Sequence, residues 1–500
     1  MEMLQNILLG FGVALQPVNL LLCFLGVLFG TAVGVLPGLG PVAAISLLFP
    51  VTFQMTPVGA IIMLAGIYYG AMYGGSTTSI LVNIPGEAAS IVTCLDGYQM
   101  ARQGRAGPAL GIAAFGSFIA GTLGIVGLMF LAPLLGRAAV RIGPPEYVAL
   151  MILGLTLVTS LSRGSVLKAL IMAVAGLLVG TIGVDPIEGV QRATFGSVTL
   201  SDGVGIVPVA MGMFGVAEIL ENLDKGANRE VYHASIKGIL PTLSDWARSI
   251  GAIGRGTILG FFVGLLPGPS ATIAAFSSYA IEKRIARDPE RFGRGAIEGV
   301  AGPESANNAA SAGAFIPLLS LGIPANIVMA VLMGALMIHG VQPGPLFISQ
   351  NPELFWGVVT SMYIGNVMLL VLNLPLIRLW VAMLRVPYGI LFPLILLFCL
   401  LGVYSLNNNS TEILIMLGFG LAGYLLRRLG FDGAPFLLAL VLGPILETNV
   451  RLSLIISKGD FGLFLSRPLS LLLLGAAALV LAASVVPGLR RRWRRLAVGA

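Results

Sequence analysis

Charged residues are scarce in this chain. Only 10% of its 500 residues are Asp, Glu, Lys or Arg, whereas a soluble protein carries roughly 25%. None occurs from residue 3 to residue 86, and another charge-free run covers 305–352. A membrane span needs about 20 apolar residues, and 57% of this chain is hydrophobic. The composition therefore excludes a soluble globular protein and predicts a polytopic membrane protein.

Cysteine and histidine are also scarce, and neither forms a recognisable site. Cys23, Cys94 and Cys399 are far apart in apolar surroundings and lack metal-ligand or redox spacing, so we expect small, buried hydrophobic residues. His339 ends an apolar run without an adjacent nucleophile, and His233 lies in a charged stretch. This pattern favours a satisfied core histidine at 339 and a solvated one at 233.

Glycine and proline, by contrast, are abundant and form a repeat. Residues 30–38 return as residues 260–268, with the shared pattern Gly-x-x-Val-Gly-x-Leu-Pro-Gly. Both copies interrupt a charge-free apolar stretch with Pro-Gly. Matching Gly/Pro-interrupted segments in two halves of a chain are typical of transporter binding sites. The repeat predicts two homologous halves, each with a broken, re-entrant hairpin.

Other matching positions extend this duplication along the chain. Pro85 corresponds to Pro324, each after isoleucine, and Gly74 corresponds to Gly313. The offsets drift, as expected of an old duplication. We divide the chain into a first membrane repeat (1–220), a polar linker (221–255), a second membrane repeat (256–467) and a C-terminal membrane helix with a basic tail (468–500).

Two pairs of acidic residues also recur between the halves. Asp185 corresponds to Asp432, and Glu218 corresponds to Glu447. Each aspartate lies two residues after a glycine, near the end of a predicted span. We therefore interpret the aspartates as turn or cap residues.

Basic residues indicate how the halves are inserted. The loop after the first broken hairpin, 52–57, has no charge, whereas its counterpart at 283–294 holds five basic residues. Because basic loops favour the cytoplasm, this contrast predicts inverted repeats. The arginine-rich segment 490–495, with Trp493 as an interfacial anchor, predicts a cytoplasmic tail. The expected fold is all-α, with about 10–12 membrane segments when re-entrant pieces are included.

Four segments place proline and glycine at mid-membrane depth: 36–41, 73–87, 266–272 and 302–324. Proline removes a backbone donor, glycine permits non-helical angles, and the freed polar groups must line a cavity or meet protein partners. Half-helix N-termini suit a carboxylate, and carbonyls with Ser, Thr or Asn oxygens suit a sodium ion. The assigned helix breaks are Pro37, Pro85, Pro267 and Pro324.

The glycines and neutral polar side chains of these segments form the predicted site. The residues predicted to bind substrate are Gly38, Gly40, Ser76, Thr77, Thr78, Asn83, Gly268, Ser270, Thr272, Asn307, Asn308 and Asn326. The residues predicted to couple cations are Ser79, Glu87, Glu304, Ser305 and Ser311. An ionisable residue in a membrane segment is functional by default. Two alternatives stay open: the small residues pack helices, and the two glutamates cap half-helices near an interface.

Several of these segments resemble the large permease subunit, TctA, of the tripartite tricarboxylate transporters. The first-half match is Tyr-Gly-Gly-Ser-Thr-Thr-Ser-Ile-Leu-Val-Asn-Ile-Pro-Gly-Glu at 73–87, followed by Asp-Gly-Tyr at 96–98. The second-half matches are Pro-Glu-Ser-Ala-Asn-Asn-Ala at 303–309, Leu-Gly-Ile-Pro at 321–324, and the segment 334–345. One departure is visible, because Ala-Asn stands at 325–326 where the family usually has Gly-Ser. It bears on the substrate more than on the transport role.

The resemblance implies a bacterial inner-membrane importer of tricarboxylates such as citrate, or of related organic acids. It implies two partners, a small TctB-like membrane subunit and a periplasmic TctC-like solute-binding protein. Transport would be symport by alternating access, driven by a sodium or proton gradient, with sodium as the candidate ion and no other cofactor. The chain has no Gly-x-x-x-x-Gly-Lys-Ser/Thr phosphate loop, which fits transport without ATP.

Three rival interpretations remain open. A channel, or a transporter for another small anion, would be favoured by rings of like charge, and the chain shows two dissimilar copies instead. An intramembrane enzyme would need a serine within hydrogen-bond reach of His339, and nothing in the sequence specifies that pairing. A purely structural membrane scaffold would need none of the helix breaks. We therefore expect a transporter subunit and not an enzyme.

Overall fold

The computed structural model describes residues 2–36, 40–162, 165–185, 187–224, 238–383 and 388–498. The helices of the first half are α1 (Glu2–Ala14), α2 (Pro17–Val35), α3 (Pro41–Leu48), α4 (Pro57–Val82), α5 (Ile91–Arg102), α6 (Ala106–Ala139), α7 (Pro144–Leu161), α8 (Val166–Gly180), α9 (Val198–Ser201), α10 (Ile206–Ala210) and α11 (Ala217–Asp224). Those of the second half are α12 (Leu243–Gly264), α13 (Ser270–Ile285), α14 (Glu298–Gly313), α15 (Phe315–Leu321), α16 (Ile327–Ile338), α17 (Phe347–Gln350), α18 (Pro352–Asn373), α19 (Ile377–Met383), α20 (Tyr388–Asn407), α21 (Ser410–Arg428), α22 (Ala434–Ile456), α23 (Leu463–Ser466) and α24 (Pro468–Val498).

The remaining regular elements are short. Phe49–Gln54 and Pro289–Arg291 form 3-10 turns, and Met211–Val216 forms a π-helical turn. Strands β1 (Gly183–Val184) and β2 (Gln191–Arg192) pair antiparallel in a small hairpin.

Helices long and apolar enough to cross a membrane dominate the fold. Seven occur in the described part of the chain, namely α2, α4, α6, α7, α18, α21 and α22. Six shorter apolar helical segments accompany them. This arrangement confirms an all-α polytopic membrane protein.

The repeated glycines bring helices into close contact. In the first half α2 packs along α4, and in the second half α12 packs along α14. At every fourth residue of α2 and α12, an added Cβ would overlap the backbone of the facing helix. These positions are Gly26, Gly30, Gly34, Gly256, Gly260 and Gly264. Small residues at this spacing let helix backbones approach closely, so the two halves build the same kind of helix pair.

Helices α4 and α15, one in each half, end in the same way. After α4, Asn83 adopts the left-handed conformation (φ 57°), and after α15, Gly322 does the same (φ 70°). Both are followed by Ile-Pro. A left-handed residue ends a helix, and the following proline cannot continue it, so Pro85 and Pro324 stand at real breaks.

Two predicted features differ in the structure. The stretch 73–82 belongs to the continuous helix α4, and the break comes only at Asn83. Pro303 lies inside α14 without ending it. A proline in the second turn of a helix removes few backbone bonds, and close packing against α12 holds α14 together.

The predicted linker at 221–255 includes two helical stretches. Helix α11 continues to Asp224, residues 225–237 lie outside the described residues, and α12 already begins at Leu243. The reason is a capping box, in which Thr242 and Asp245 satisfy each other's backbone N–H groups. Of the charged residues that suggested a linker, Glu221 and Asp224 belong to α11, and Asp245, Arg248 and Arg255 belong to α12. The predicted start of the second repeat at residue 256 therefore falls inside α12.

One end of α6 adjoins the start of α12. Arg105, just before α6, forms an ion pair with Asp245 in the first turn of α12. The end of α18 reaches the same level, because Asn373 lines a small cavity with Leu110 of α6. Helix α18 therefore runs antiparallel to α6.

The other end of α6 adjoins the start of α2. Pro133, near the end of α6, lines a groove with Trp356 of the first turns of α18. Val13, at the end of α1, faces Gly357 of α18, and α2 follows α1 almost directly. Helices α2 and α12 thus begin at opposite ends of α6.

A buried carboxylate fastens the two halves to each other. Asp96 of α5 is 0% exposed. Its Oδ1 accepts hydrogen bonds from the backbone N–H groups of Gly293, Gly295 and Ala296 at 2.9, 2.7 and 2.8 Å. Its Oδ2 accepts one from the Tyr279 hydroxyl at 2.9 Å. One side chain of the first half thereby orders a loop of the second.

We expect replacement of Asp96 by alanine to lower the free energy of unfolding by about 3 kcal/mol, because buried donors that lose their acceptor cost 1–3 kcal/mol each. Thermal unfolding of the detergent-solubilised protein measures this loss. The matched control is Asp288→Ala, since Asp288 lies exposed near the same loop and its side chain caps no helix. Equal melting temperatures for the two variants would contradict this stabilising role of Asp96.

Candidate functional site

A cavity of about 590 Å³ lies where the helix breaks of both halves meet. Three helices begin at its wall: α3 at Pro41, α13 at Ser270 and α16 at Ile327. Helix N-termini carry unpaired N–H groups and the positive end of the helix dipole. Such ends are suited to binding anions, so these three helix ends offer donor groups to a negatively charged ligand.

The two breaks of the second half are bonded to each other at this wall. The Gly268 N–H donates to the Ala325 carbonyl at 2.8 Å. Gly268 has φ +138°, a region that side chains avoid, so the break requires glycine there. The predicted residues Gly268, Ser270, Thr272 and Asn326 all line the cavity.

The first half contributes two of its helix breaks to the cavity. One is Gly40 at the start of α3, and the other is the loop that holds Pro85 and Glu87. Glu87 accepts hydrogen bonds from the Ala89 N–H at 2.6 Å and from the Asn307 side chain at 3.1 Å. The second contact joins the two halves at the cavity wall. Pro37 and Gly38 lie outside the described residues.

Behind Glu87, a second buried carboxylate lies between α4, α5 and α14. Glu304 is 1% exposed and accepts hydrogen bonds from the hydroxyls of Ser76, at 2.5 Å, and Thr93. Asn308 donates to the Ser117 hydroxyl at 2.7 Å. Within the described ranges, neither Glu87 nor Glu304 has a basic partner within salt-bridge distance. A buried carboxylate without a countercharge is costly, and a bound cation would supply one.

Three oxygens of the predicted site lack a hydrogen-bond partner among the described residues. They are Ser270 Oγ, Ser305 Oγ and Asn307 Oδ1, and all are buried. Buried polar atoms normally have a partner, so these three oxygens are available to a ligand, an ion or a water molecule. Among the described residues, no group of three or more His, Cys, Asp and Glu side chains could hold a metal. Any cation there would rest mainly on neutral oxygens, which suits sodium more than a transition metal.

Other predicted residues make local contacts away from the cavity wall. Thr78 bonds the Val35 carbonyl of the packed helix at 2.5 Å. Ser79 and Ser311 bond carbonyls one turn earlier in their own helices. Thr77 lines a void of about 20 Å³ with Ser76 and Ser117. For these side chains the structure agrees with the helix-packing alternative.

Asn83 has a backbone role in the structure. It is exposed and forms the left-handed C-cap of α4, and the residues around the cavity do not include it. Asparagine tolerates this conformation better than other side chains with a Cβ. Its place in the sequence next to the break is explained by that backbone requirement.

Sequence reasoning missed three ionisable residues of the cavity wall: Glu218, Arg427 and Asp432. The two acidic residues were recognised as repeated positions, but without a link to the site. Arg427 ends an apolar helix beside another arginine, a pattern that sequence alone cannot distinguish from an ordinary span end. Only the fold brings these three residues to the helix breaks.

The two aspartates interpreted as turn or cap residues are confirmed. Asp185 accepts from the N–H groups of Ile187 and Glu188 at 2.8 and 3.0 Å. Asp432 accepts from the Ala434 N–H at 3.0 Å, just before α22. Each side chain therefore holds a turn at the end of a helix or hairpin.

The histidine prediction is wrong at 339. Helix α16 ends at Ile338, and His339 is its partly exposed C-cap. Among the described residues, neither serine nor any other residue forms a hydrogen bond with the Nε2 atom of His339. His233 lies outside the described residues.

The cysteines follow expectation in two of three cases. Cys23 and Cys399 are buried, and Cys94 is partly exposed. All three are free thiols. None of them lines the cavity.

Comparison with known proteins places the chain in a family. The family model described as "Tripartite tricarboxylate transporter TctA family" matches residues 20–438. An Agrobacterium vitis protein described as "Uncharacterized 52.8 kDa protein in TAR-I ttuC' 3'region" is 52% identical over 494 residues, covering 98% of each chain. A second protein from that organism, described as "Uncharacterized protein in TAR-II ttuC' 3'region", is 49% identical over 233 residues, 47% of this chain and 96% of its own length. No solved structure matches.

Proposed function

Since this chain belongs to the tripartite tricarboxylate transporter TctA family, we propose that it is the permease subunit of a binding-protein-dependent secondary transporter. Its substrates are tricarboxylates or related organic acids, and a sodium or proton gradient drives their import. Its partners are a small TctB-like membrane subunit and a periplasmic TctC-like solute-binding protein. The observation that carries this proposal is the convergence of three helix N-termini on one cavity between the halves.

The charges around the cavity support coupling to a cation. Among the described residues, the carboxyl groups of Glu87, Glu218 and Asp432 line it, against the guanidinium of Arg427. With these four groups ionised, the described part of the wall carries a net negative charge and repels an organic anion. Binding of cations near Glu87 and Glu304 first would remove that repulsion, which gives symport a physical basis.

The arrangement of the helix pairs supports alternating access as the transport mechanism. Helices α2 and α12 begin at opposite ends of α6 and play the same packing role in their halves. This geometry supports inverted repeats, which can exchange inward-facing and outward-facing roles around a fixed site. The cavity between the two halves would be that site.

The basic residues support one orientation in the membrane. The Arg105 end of α6 is close to Arg248 and Arg291, and the rule that basic loops face the cytoplasm favours a cytoplasmic location for this end. Helix α24 starts at the opposite end, where Arg467 pairs with Glu146 at 3.3 Å. Its 31 residues span about 46 Å, enough to return the C-terminus to the cytoplasmic side of a bacterial inner membrane.

The transport role is tested by uptake of labelled citrate into cells that express the chain with its two partner subunits, with and without a sodium gradient. We expect gradient-dependent uptake that disappears when this chain is deleted. Absence of uptake for citrate and for a panel of other di- and tricarboxylates would overturn the proposal.

Within this proposal, Ser270→Ala should raise the KM for citrate about tenfold, because a hydrogen bond to a charged group contributes 1.5–3 kcal/mol. Initial uptake rates across citrate concentrations measure the effect. Ser278→Ala is the matched control, since Ser278 is a buried, unpartnered serine of the same helix that does not line the cavity. Similar KM values for the two variants would count against anion binding at the start of α13.

A further inference from the structure

Arg427 stands out among the residues of the cavity, and it was chosen by neither the repeat nor the family motifs. Among the described residues that line the cavity it is the basic one. It lies in the last turn of the apolar helix α21, one residue before the helix ends at Arg428, and about a quarter of its side chain is exposed. A cation in such a place must either neutralise a structural partner or bind a ligand.

The contacts of Arg427 hold its guanidinium firmly. Nη1 donates to Glu218 Oε2 at 2.6 Å and to Glu221 Oε2 at 3.2 Å. Nη2 donates to the Met213 carbonyl at 3.1 Å. The guanidinium also lies 5.7 Å from the centre of the Phe214 ring. These contacts fix its plane and leave N–H groups for a cavity ligand, because guanidinium has five donors.

The carbonyl that holds Arg427 belongs to the π-helical turn Met211–Val216. A π-turn shifts the backbone hydrogen-bond register, and such turns are frequent at functional sites. In this chain the turn gives the arginine a backbone acceptor at the edge of the cavity. The position of the guanidinium is therefore set by backbone as well as by carboxylates.

The ion pair between Glu218 and Arg427 can be replaced by a pair between Arg427 and a ligand. It lines the cavity together with Arg427, whereas Glu221 does not. A substrate carboxylate that reaches Arg427 would take over the bond that Nη1 donates to Glu218 Oε2, because both groups offer a charged carboxylate oxygen to the guanidinium. The helix N-termini supply a second, separate attraction for negative charge in the same cavity.

We propose that Arg427 binds one carboxylate of the transported anion while the helix N-termini bind another, and that Glu218 occupies Arg427 when the cavity is empty. The inference rests on the proposed transport function and adds a substrate class, acids with at least two carboxylates. It also assigns the discrimination against monocarboxylates to one side chain. A substrate with a single carboxylate would fill only one of the two positions.

The test uses the full complex in cells, with labelled citrate as substrate and succinate or propionate as competitors. For the wild type we expect succinate to compete much better than propionate. We expect Arg427→Gln to raise the KM for citrate at least about tenfold and to remove most of that discrimination. Arg428→Gln is the matched control, because Arg428 is the next residue of the same helix, pairs with Asp224 and is mostly exposed.

A purely structural ion pair is distinguished by the double variant Glu218→Gln/Arg427→Gln. If Arg427 only neutralises Glu218, removing both charges restores uptake. If Arg427 binds substrate, the double variant melts like the wild type and still fails to transport citrate. In Glu218→Gln alone, the KM for citrate should fall, because the competing carboxylate is gone.

The outcomes separate the two proposals. Wild-type uptake with normal kinetics in Arg427→Gln, or restored uptake in the double variant, overturns the role of Arg427 and leaves the transport function standing. No wild-type uptake of any di- or tricarboxylate overturns the transport function and this inference together.

Discussion

Replacing Gly260 with alanine should abolish transport and destabilise the protein by about 1–3 kcal/mol, the range expected for overpacking a tight contact. The added Cβ would overlap the backbone carbonyl of Ala306 on the facing helix. Backbone cannot turn aside as a flexible side chain can, so α12 and α14 must separate. Yield of folded protein, its melting temperature in detergent and citrate uptake all measure the effect.

The same helix contains its own control. An added Cβ at Gly254 meets nothing within 4 Å, and alanine is favoured over glycine inside a helix by roughly 0.5–1 kcal/mol. Gly254→Ala should therefore keep or slightly raise the melting temperature and preserve transport. If both variants behave alike, the loss comes from helix composition and not from the close approach of α12 and α14.

Replacing Glu304 with glutamine should reduce coupled uptake at least about tenfold and flatten its dependence on the driving cation, because a charge that a cation neutralises is worth several kcal/mol in a low-dielectric site. Glutamine keeps the size of the side chain, and its oxygen accepts from one of the Ser76 and Thr93 hydroxyls while its NH2 group donates to the other, whose hydroxyl can rotate. The change therefore removes charge with little disturbance of packing. Initial uptake rates measured against sodium concentration, and separately against pH, show which ion is affected.

Glu282 supplies a control of similar burial in a different electrostatic setting. It is 3% exposed and pairs with Arg255 at 2.7 Å. Glu282→Gln should lower stability, since it leaves Arg255 without its partner, but it should keep the cation dependence of the wild type. A Glu304→Gln variant with unchanged cation dependence would remove this carboxylate from the coupling site.

Much of the fold could be predicted because its causes are local. Long apolar runs specify spans wherever they occur. The glycines at every fourth position before each Pro-Gly indicate a closely packed helix pair, because a residue this small lets two helix backbones approach. The breaks at Pro85 and Pro324 follow from proline and from the left-handed residues two positions before them.

What could not be predicted depends on partners distant in the chain. Ser76 is helical and not at a break, because α4 stays continuous where α2 packs against it. Arg427 meets Glu218 from 209 residues away, and no local pattern records that contact. The amide of Asn83 suggests substrate binding in the sequence, whereas in the structure Asn83 adopts the left-handed backbone conformation that ends α4.

The glycine contacts between α2 and α4, and between α12 and α14, also restrict how the protein can move. A slide of one helix past its partner by a single residue, about 1.5 Å, would press bulkier neighbours of the glycines against the facing backbone. Each pair must therefore travel as a rigid body. Any motion that opens the cavity first to one side and then to the other is confined to hinges outside the pairs, such as the turns at Met55 and Gly268.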